Sequence, residues 1–529
     1  PRSSAVTPSD PIPSISVITA DGARPTRLPT TMVLLAALLF GGCSTGLGGD
    51  AAGGRSDGGS GEASGTTVLS PRPSGPTTTV LVEDDPLGGY APEPLSWSDC
   101  GQLQCATLVV PLDWSKPEGD TLNLAVSRRP SSGRSQGSVL VNPGGPGGSG
   151  VETVEWVFQE PAFDELNDRF DVVGWDPRGT NSSDSVSCDD SVDDFRALDP
   201  SPDDAAETKA LNDTAQQITN DCETSSADLL PHVSTSDSVK DMDALRRALG
   251  ENQMTYYGFS YGTALGSFYA DEFPDRVRAI VLDGVVDPDA DLEEFLTAQT
   301  QGFEDALDAI FASCGSSCPK GGTAKLYDRL AKRVESEPIG SGDLTLGPAE
   351  LATAAISATY SPDEGPAFAE ALTEAEDGDP SALLNLADRY YGGAEYTPYL
   401  AIECIDQAHP DGDKEWAEFV ARLEKASPRL GGSIGNELLP CANWPVKPVE
   451  PRPFPKAVAS NPILVVGNTG DAATPFAQAE AMAQNLDNAV LLTHEGTGHT
   501  SYGNPCVDEI TAAYLVHLDV PEDGTVCRD

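Results

Sequence analysis

The sequence predicts an α/β protein in which helices cover both faces of a mostly parallel β-sheet. Short apolar runs that end in turn residues alternate with segments of helical spacing, which is the pattern of buried parallel strands joined by helices. The chain has 529 residues, of which 39% are hydrophobic and 22% charged, so it can bury a large core. This length suits one large fold with an insertion.

The core elements are expected in two groups that lie far apart in the chain. The first group has strands over 107–111, 121–127, 138–142, 170–175, 254–257 and 278–283, and helices over 236–250 and 264–273. The second has strands over 462–467 and 489–493, separated by a helix over 476–486. Between about 288 and 455 the strand-like runs stop, and an Ala-, Leu- and Glu-rich sequence with helical spacing takes their place.

These boundaries divide the chain into five parts. We expect a leader over 1–43, a flexible tether over 44–88, the N-terminal part of the core over 89–287, a helical cap over 288–455 and the C-terminal part of the core over 456–529. The cap is an insertion between two strands of the sheet and is expected to cover the carboxyl ends of the strands.

The leader has the features of an export signal. A short apolar run, 32–40, follows a stretch that carries two arginines, and it is only about half as long as a bilayer span requires. The Gly-Gly-Cys that ends it looks like a bacterial lipoprotein cleavage site, with Cys43 as the lipidated residue. The alternative is a plain signal peptide with an incidental cysteine. Both versions predict an extracellular protein, and the first predicts attachment to the membrane through lipid alone.

The eleven cysteines favour disulfides over metal or redox chemistry. Removing Cys43 leaves ten, an even number in a chain with an export signal. The pairing is open from sequence alone, and sequential pairing is the simplest expectation: Cys100–Cys105, Cys188–Cys222, Cys314–Cys318, Cys404–Cys441 and Cys506–Cys527. The five histidines are scattered and no cluster has zinc spacing, so we expect no metal and no cofactor.

The charge balance restricts the partners. Lys and Arg number 32 against 83 Asp and Glu, a net charge of −51, and such a surface repels both nucleic acid and anionic lipid. It would attract cations, including the free amino end of a peptide. The chain is expected to be a monomer, and solubility alone is an adequate reason for its acidity.

The chemistry centres on one serine. The pattern Gly-x-Ser-x-Gly occurs five times, around Ser44, Ser56, Ser135, Ser260 and Ser433. Only Ser260 has a predicted strand before it and a predicted helix after it, which is the sharp turn that exposes a nucleophilic serine. The backbone N–H of Tyr261 would then point at a developing oxyanion from a helix N-terminus.

A serine nucleophile needs a histidine base and a carboxylate to orient it. His499 lies in a glycine-rich loop after the last predicted strand, and His494, at the end of that strand, is the weaker alternative. Asp471 lies in a turn just past the preceding strand. The chain order Ser260, Asp471, His499 is the one expected of an α/β-hydrolase fold.

The second oxyanion donor is expected in the loop Asn-Pro-Gly-Gly-Pro-Gly-Gly after strand 138–142, at Gly144 or Gly145. The rival interpretation, a phosphate-binding loop, lacks the Gly-Lys-Ser/Thr that would follow it. The Asp-Pro-Arg-Gly turn at 176–179 is interpreted as a buried turn with an ion pair.

Seven segments together carry a family resemblance. They are Val110-Pro-Leu-Asp-Trp, the loop at 142–148, Gly174-Trp-Asp-Pro-Arg-Gly, Gly258-Phe-Ser-Tyr-Gly-Thr, Ala401-Ile-Glu-Cys-Ile-Asp, Cys441-Ala-Asn-Trp-Pro and Gly470-Asp-Ala-Ala-Thr-Pro. The chain resembles the secreted tripeptidyl aminopeptidases of actinobacteria, relatives of the prolyl iminopeptidases. The resemblance implies a serine exopeptidase that removes short N-terminal peptides through an acyl-enzyme, and a recognisable C-terminal unit that carries Asp471 and His499.

An exopeptidase must also hold the charged amino end of its substrate. Glu403 and Asp406 are three residues apart and would share one face of a helix in the cap. They are candidates for that contact, and a solvated helix end beside Cys404 is the alternative. Two other functions stay open: an esterase or lipase with the same Ser-His-Asp set, and a cell-surface binding module without catalysis, against which the intact set argues.

Overall fold

A ten-stranded sheet forms the centre of the molecule. The computed structural model describes residues 85–528 except 189–190, 289, 314–320, 342–343, 362–363 and 450–451, and these belong to one compact unit, Val80–Asp529. The predicted leader with Cys43, most of the tether and the Cys314–Cys318 pair lie outside the described residues.

The strands are β1 Ser98–Cys100, β2 Leu103–Pro111, β3 Thr121–Arg129, β4 Ser138–Asn142, β5 Asp171–Trp175, β6 Met254–Phe259, β7 Val277–Asp283, β8 Ile339–Ser341, β9 Leu344–Leu346, β10 Ile463–Gly470, β11 Ala489–Thr497 and β12 Thr525–Arg528. The central sheet has the order β1-β2-β3-β5-β4-β6-β7-β10-β11-β12. The β1/β2, β2/β3 and β3/β5 pairs are antiparallel, and the other six are parallel.

All eight predicted core strands are present, and the α/β prediction is confirmed. Two short edge strands, β1 and β12, were not predicted. The expectation that strands stop between 288 and 455 is wrong at one place, because β8 and β9 form a separate antiparallel hairpin there. Each of these two strands has only three residues, too few to show a two-residue period in the sequence.

The helices cover both faces of the sheet. They are α1 Gly150–Trp156, α2 Asp164–Arg169, α3 Ser191–Arg196, α4 Ala205–Ser226, α5 Thr235–Ala248, α6 Tyr261–Glu272, α7 Leu292–Ser313, α8 Thr323–Ser336, α9 Pro348–Ser357, α10 Glu364–Glu376, α11 Ser381–Tyr391, α12 Tyr396–Asp406, α13 Gly412–Ala426, α14 Gly431–Glu437, α15 Phe476–Asn485 and α16 Pro505–His517. Helices α7 to α14 fall within the range where the sequence predicts a helical insertion.

Two hydrophobic clusters lie on opposite faces of the sheet. Leu140 of β4 belongs to the larger cluster, whereas its neighbours Val139 and Val141 belong to the smaller one. This division follows from the strand geometry, in which successive side chains point to opposite faces. Buried residues of α5 and α6 pack in the larger cluster, and those of α16 in the smaller.

The buried turn after β5 ties the sheet to α5. Arg178 is fully buried and donates to both carboxylate oxygens of Asp241 at 2.7 Å, so the predicted ion pair exists and its partner lies on α5. Arg178 also donates to the carbonyls of Leu112 and His232, each at 2.9 Å. Helix α5 itself begins at Thr235, one residue before the predicted start, where the Ser234 hydroxyl accepts the N–H of Asp237.

Candidate active site

Ser260 occupies the sharp turn between β6 and α6. Its backbone has φ 51° and ψ −124°, a conformation that few non-glycine residues adopt. Neither glycine of the pattern leaves room for a side chain. A Cβ at Gly258 would lie 2.4 Å from the carbonyl oxygen of Gly262, and a Cβ at Gly262 would lie 2.7 Å from the carbonyl oxygen of Asn142. The Ser260 N–H donates to the carbonyl of Asp283 at 3.0 Å, which joins the turn to the end of β7.

The structure brings His499 and Asp471 together at the ends of β11 and β10. Nδ1 of His499 lies 3.0 Å from each carboxylate oxygen of Asp471. The carboxylate also accepts the N–H groups of Ala473, Thr474 and Thr500 at 2.8–3.0 Å. This cage fixes the carboxylate, which in turn holds Nδ1 as the donor and directs Nε2 away from it.

The surroundings of His499 favour its protonated form. Burial alone would lower the pKa of the imidazole, but the charge of Asp471 and its hydrogen bond outweigh burial, and the pKa lies above the ordinary 6.5. The side chain is only 12% exposed, and the edge-on ring of Tyr360 lies 5.2 Å from it. An imidazole of this kind can take a proton from a serine hydroxyl and return it to a leaving group.

Ser260 and His499 both line one cavity of about 610 Å³. Gly284, directly after β7, has φ +70°, and a Cβ there would lie 3.3 Å from Cε1 of His499. A glycine at this position therefore lets β7 end close beneath the imidazole.

The loop after β4 lies against the turn that carries Ser260. A Cβ on Gly144 would come within 2.9 Å of both the Ser260 Cβ and the Tyr261 nitrogen, so only glycine fits. The Gly144 N–H already donates to Oδ1 of Asn142 at 3.0 Å. In the part of the chain that the structure describes, the Gly145 N–H has no acceptor. Of the two glycines expected to supply an oxyanion donor, Gly144 thus has its N–H in use, whereas that of Gly145 has no acceptor among the described residues.

The cavity also contains both acidic residues singled out in the sequence. Glu403 and Asp406 lie on α12 and line the cavity together with Glu437, which ends α14 and was not predicted. Burial, reinforced by the charges of the other two, raises the pKa of Glu403 to about 8. Burial likewise raises the pKa of Asp406 and that of Glu437 to about 7 each.

Asp406 is held by a specific set of hydrogen bonds. The Thr235 N–H donates to its two oxygens at 3.0 and 3.1 Å, and the Thr235 hydroxyl donates to Oδ2 at 2.5 Å. The Tyr261 hydroxyl lies 2.5 Å from the same Thr235 oxygen. When Asp406 is ionised it only accepts, so the chain of donors runs from Tyr261 through Thr235 to Asp406.

Glu403 differs from Asp406 in having no such partner. Among the described residues, no donor reaches the carboxylate of Glu403, although the residue is only 9% exposed. A buried carboxyl group without a partner is costly and is stabilised by any cation that enters the cavity. The two candidates therefore have different surroundings on the same helix.

Comparisons with known proteins place the chain in a family. Residues 427–527 match the TAP-like protein family, and residues 137–317 match the alpha/beta hydrolase fold family. Over 475 residues the chain is 35% identical to the serine protease Hip1 of Mycobacterium tuberculosis (strain ATCC 25618 / H37Rv), covering 82% of this chain and 91% of that protein. The chain belongs to the TAP-like α/β-hydrolase family.

Other relatives widen the range of activities within this TAP-like family. A tripeptidyl aminopeptidase of Streptomyces coelicolor is 32% identical over 472 residues, with 82% of this chain and 85% of the relative covered. Carboxylesterase B of Mycobacterium tuberculosis (strain ATCC 25618 / H37Rv) is also 32% identical, over 470 residues, 82% of this chain and 89% of the relative. The chain is thus a TAP-like serine hydrolase, and peptidase and esterase relatives match it about equally well.

A further buried carboxylate near the site, Asp283, was missed in the sequence of this TAP-like hydrolase. It ends β7, accepts the N–H groups of Ser501 and Tyr502 at 2.8 and 3.0 Å, and takes the Tyr257 hydroxyl at 3.0 Å. Burial raises its pKa to about 7. Through its side chain and its carbonyl, Asp283 connects the His499 loop to the Ser260 turn. The only sequence signal was its place at the end of a buried strand.

Other predicted residues fall as follows. His494, the alternative base, is buried within β11, and its Nε2 accepts from the Asn504 amide at 3.1 Å.

Four predicted pairs are disulfides: Cys100–Cys105, Cys188–Cys222, Cys404–Cys441 and Cys506–Cys527. Among the described residues, no group of three or more His, Cys, Asp and Glu side chains is arranged to hold a metal ion. None of the described helices is long and apolar enough to cross a membrane.

Proposed function

We propose that this TAP-like hydrolase is an exported serine exopeptidase that releases short peptides, tripeptides in the first instance, from peptide N-termini. The observation that carries this proposal is Glu403, a buried carboxylate without a partner among the described residues, in the same cavity as Ser260 and His499. The relatives named serine protease and tripeptidyl aminopeptidase support it.

A peptide ammonium group is the ligand that Glu403 fits. The ammonium supplies three donors and a positive charge to an oxygen pair that has neither. Burial, reinforced by the charges of Asp406 and Glu437, raises the pKa of Glu403 to about 8, and a bound ammonium group would lower that pKa because it stabilises the ionised carboxylate. The overall charge of −51 attracts the same group from solution.

The proposed reaction gives each of these residues the role that it would have in a serine triad. Ser260 Oγ attacks the carbonyl of the scissile bond while Nε2 of His499 takes its proton, and Asp471 stabilises the imidazolium. The N–H groups of Tyr261 and Gly145 stabilise the oxyanion. His499 then protonates the leaving amine, and a water molecule, activated by the same imidazole, releases the peptide from Ser260.

Export and attachment belong to the same proposal. Four disulfides fit an oxidising compartment. Processing at Cys43 would leave the enzyme tethered to the outer face of the cell membrane by lipid. The expected form is a monomer.

An esterase is the second candidate, favoured by the relative named carboxylesterase B and by the apolar part of the cavity wall, which includes Phe268, Val286 and Phe295. The same Ser-His-Asp set would serve it. The two candidates differ in whether Glu403 contributes to turnover.

The test compares three substrates: a tripeptide p-nitroanilide with a free amine, its N-acetyl form and a small neutral p-nitrophenyl ester. Glu403→Gln should lower kcat/KM for the free peptide roughly ten- to a hundredfold, because a buried charge-assisted contact is worth about 1.5–3 kcal/mol. Turnover of the ester and of the already poor acetylated peptide should change little. Glu364→Gln is the matched control, since this cavity carboxylate already pairs with Arg389 at 2.7 Å.

Efficient ester turnover with no peptide turnover would establish the esterase instead. An equal loss on ester and peptide in Glu403→Gln would show that this residue supports the cavity wall rather than the substrate amine.

A further inference from the structure

Three arginines line the active-site cavity, and among the described residues one of them has no carboxylate partner. Arg389 pairs with Glu364 at 2.7 Å, and Arg452 pairs with Glu272 at 3.1 Å. Within the described residues, Arg196 forms neither an ion pair nor a hydrogen bond through its guanidinium. The chain has 83 acidic and 32 basic residues, so a carboxylate partner for an arginine is easy to supply. An arginine that lines a cavity with no such partner among the described residues is therefore a candidate to bind a ligand.

The guanidinium of Arg196 is nevertheless held in place. Arg196 is the last residue of α3 and is partly buried. Its guanidinium carbon lies 4.3 Å from the ring centroid of Tyr391 and 5.0 Å from that of Tyr396. Aromatic faces fix a guanidinium without using its N–H groups, so the planar fork of donors stays available.

Glu437 lies close enough to Arg196 for the two charges to interact. Burial raises the pKa of Glu437 to about 7, and the charge of Arg196 opposes that rise. In the described part of the chain the two side chains are not within ion-pair distance, so the guanidinium retains its hydrogen-bonding capacity. Glu437 therefore offsets part of the positive charge of Arg196, but it accepts none of the guanidinium N–H groups.

We propose that Arg196 forms a subsite for a carboxylate in the acyl part of the substrate. In the exopeptidase, on whose proposed function this part of the inference rests, that group is an Asp or Glu side chain in the released peptide. The acyl part must lie in the cavity, between Ser260 and the amine contact at Glu403, and Arg196 faces the same space. A guanidinium fork binds a carboxylate with two parallel hydrogen bonds.

The test uses tripeptide p-nitroanilides in which Glu or Gln replaces Ala at each of the three positions in turn. The wild type should favour Glu over Gln at one position by about tenfold or more in kcat/KM. Arg196→Gln should abolish that preference and leave the Gln substrates unchanged, and Arg196→Lys should retain part of it. Arg389→Gln, in which the removed charge was already paired, should keep the preference.

A matched ester pair separates this inference from the peptidase proposal. The p-nitrophenyl monoester of adipic acid carries a terminal carboxylate, and p-nitrophenyl hexanoate has the same length without it. If no peptide is hydrolysed but Arg196→Gln removes a preference for the adipate ester, the subsite stands and the peptidase proposal fails. The inference is overturned if neither series shows a preference for the carboxylate, if Arg196→Gln keeps the preference, or if it lowers all substrates equally.

Discussion

Ser260 combines a strained backbone with a partly buried position at the N-terminus of α6, and strain of this kind persists where the surrounding contacts enforce it. Ser260→Ala removes one oxygen atom and leaves those contacts in place. We expect an intact fold and a loss of turnover of several orders of magnitude, as in other serine triads. A fluorophosphonate probe should label the wild type at Ser260 alone, by peptide mapping. A label on another residue of active enzyme would refute the assignment.

The pKa of His499 predicts the pH profile. The imidazole must be neutral to act as a base, and its pKa lies above 6.5 because Asp471 outweighs burial. For a neutral ester, kcat/KM should therefore rise with pH and reach half its plateau above pH 6.5. For a free peptide, kcat/KM should gain a second rise near pH 8 as Glu403 ionises, and this rise should be lost in Glu403→Gln. A midpoint below 6.5 for the ester would contradict the Asp471–His499 interaction as we describe it.

Helix α12 links the cap sequence to the oxyanion side of the site through Asp406, Thr235 and Tyr261. Asp406→Asn weakens acceptance from Thr235 and loosens the Tyr261 side chain, whose backbone N–H is a proposed oxyanion donor. We expect kcat to fall about tenfold on esters and peptides alike, the cost of roughly one hydrogen bond. Thr235→Val, which breaks the same chain at its middle, should behave in the same way.

A comparison of Glu403→Gln with Asp406→Asn separates substrate binding from support of the oxyanion side of the site. Glu403→Gln should act on peptides alone, whereas Asp406→Asn should act on every substrate. If Asp406→Asn spares ester turnover and lowers only peptide turnover, the residue binds the substrate amine directly and the Thr235 hydrogen bonds are incidental.

The elements around the site also show what the sequence could predict. Ser260, Asp471 and His499 each follow a strand of recognisable composition, so local pattern and chain order placed them. Asp406 could be placed on a helix face, but its partner Thr235 lies 171 residues away, and no local pattern reports such a contact. Glu437 and Arg196 have no recognisable sequence pattern either. They are far apart in the chain, and only the folded structure brings α14 and α3 to one cavity.

For the whole molecule, the mostly parallel sheet was predictable because its central strands are buried on both faces and read as continuous apolar runs. The edge strands β1 and β12 have three and four residues, and each contains one cysteine of a disulfide, Cys100 in β1 and Cys527 in β12. Their position is set by Cys100–Cys105 and Cys506–Cys527 together with pairing to a neighbour, and short strands of this kind carry too few residues for a periodic signal.

The Cys404–Cys441 disulfide joins α12 to the turn that follows α14. Cys404 adjoins Glu403, and Cys441 lies four residues after Glu437, so the bond fixes the two helices that carry the cavity carboxylates. Replacing both cysteines by Ala opens a loop of 37 residues and should cost about 4 kcal/mol of unfolding free energy. For a chain of this size, that cost lowers Tm by about 4 °C.

The kinetic consequence distinguishes this bond from the others. Turnover of the free peptide should fall more than that of the neutral ester, because the carboxylates move while Ser260 and His499 stay in place just past the ends of β6 and β11. Replacing Cys506 and Cys527 by Ala is the matched control: this pair closes a loop of 21 residues between α16 and β12, so Tm should fall by a similar amount with little change in either activity. Equal losses on peptide and ester in the Cys404/Cys441 variant would mean that α12 supports the Ser-His-Asp set itself. An unchanged peptide activity despite a lowered Tm would mean that packing alone holds the carboxylates in position.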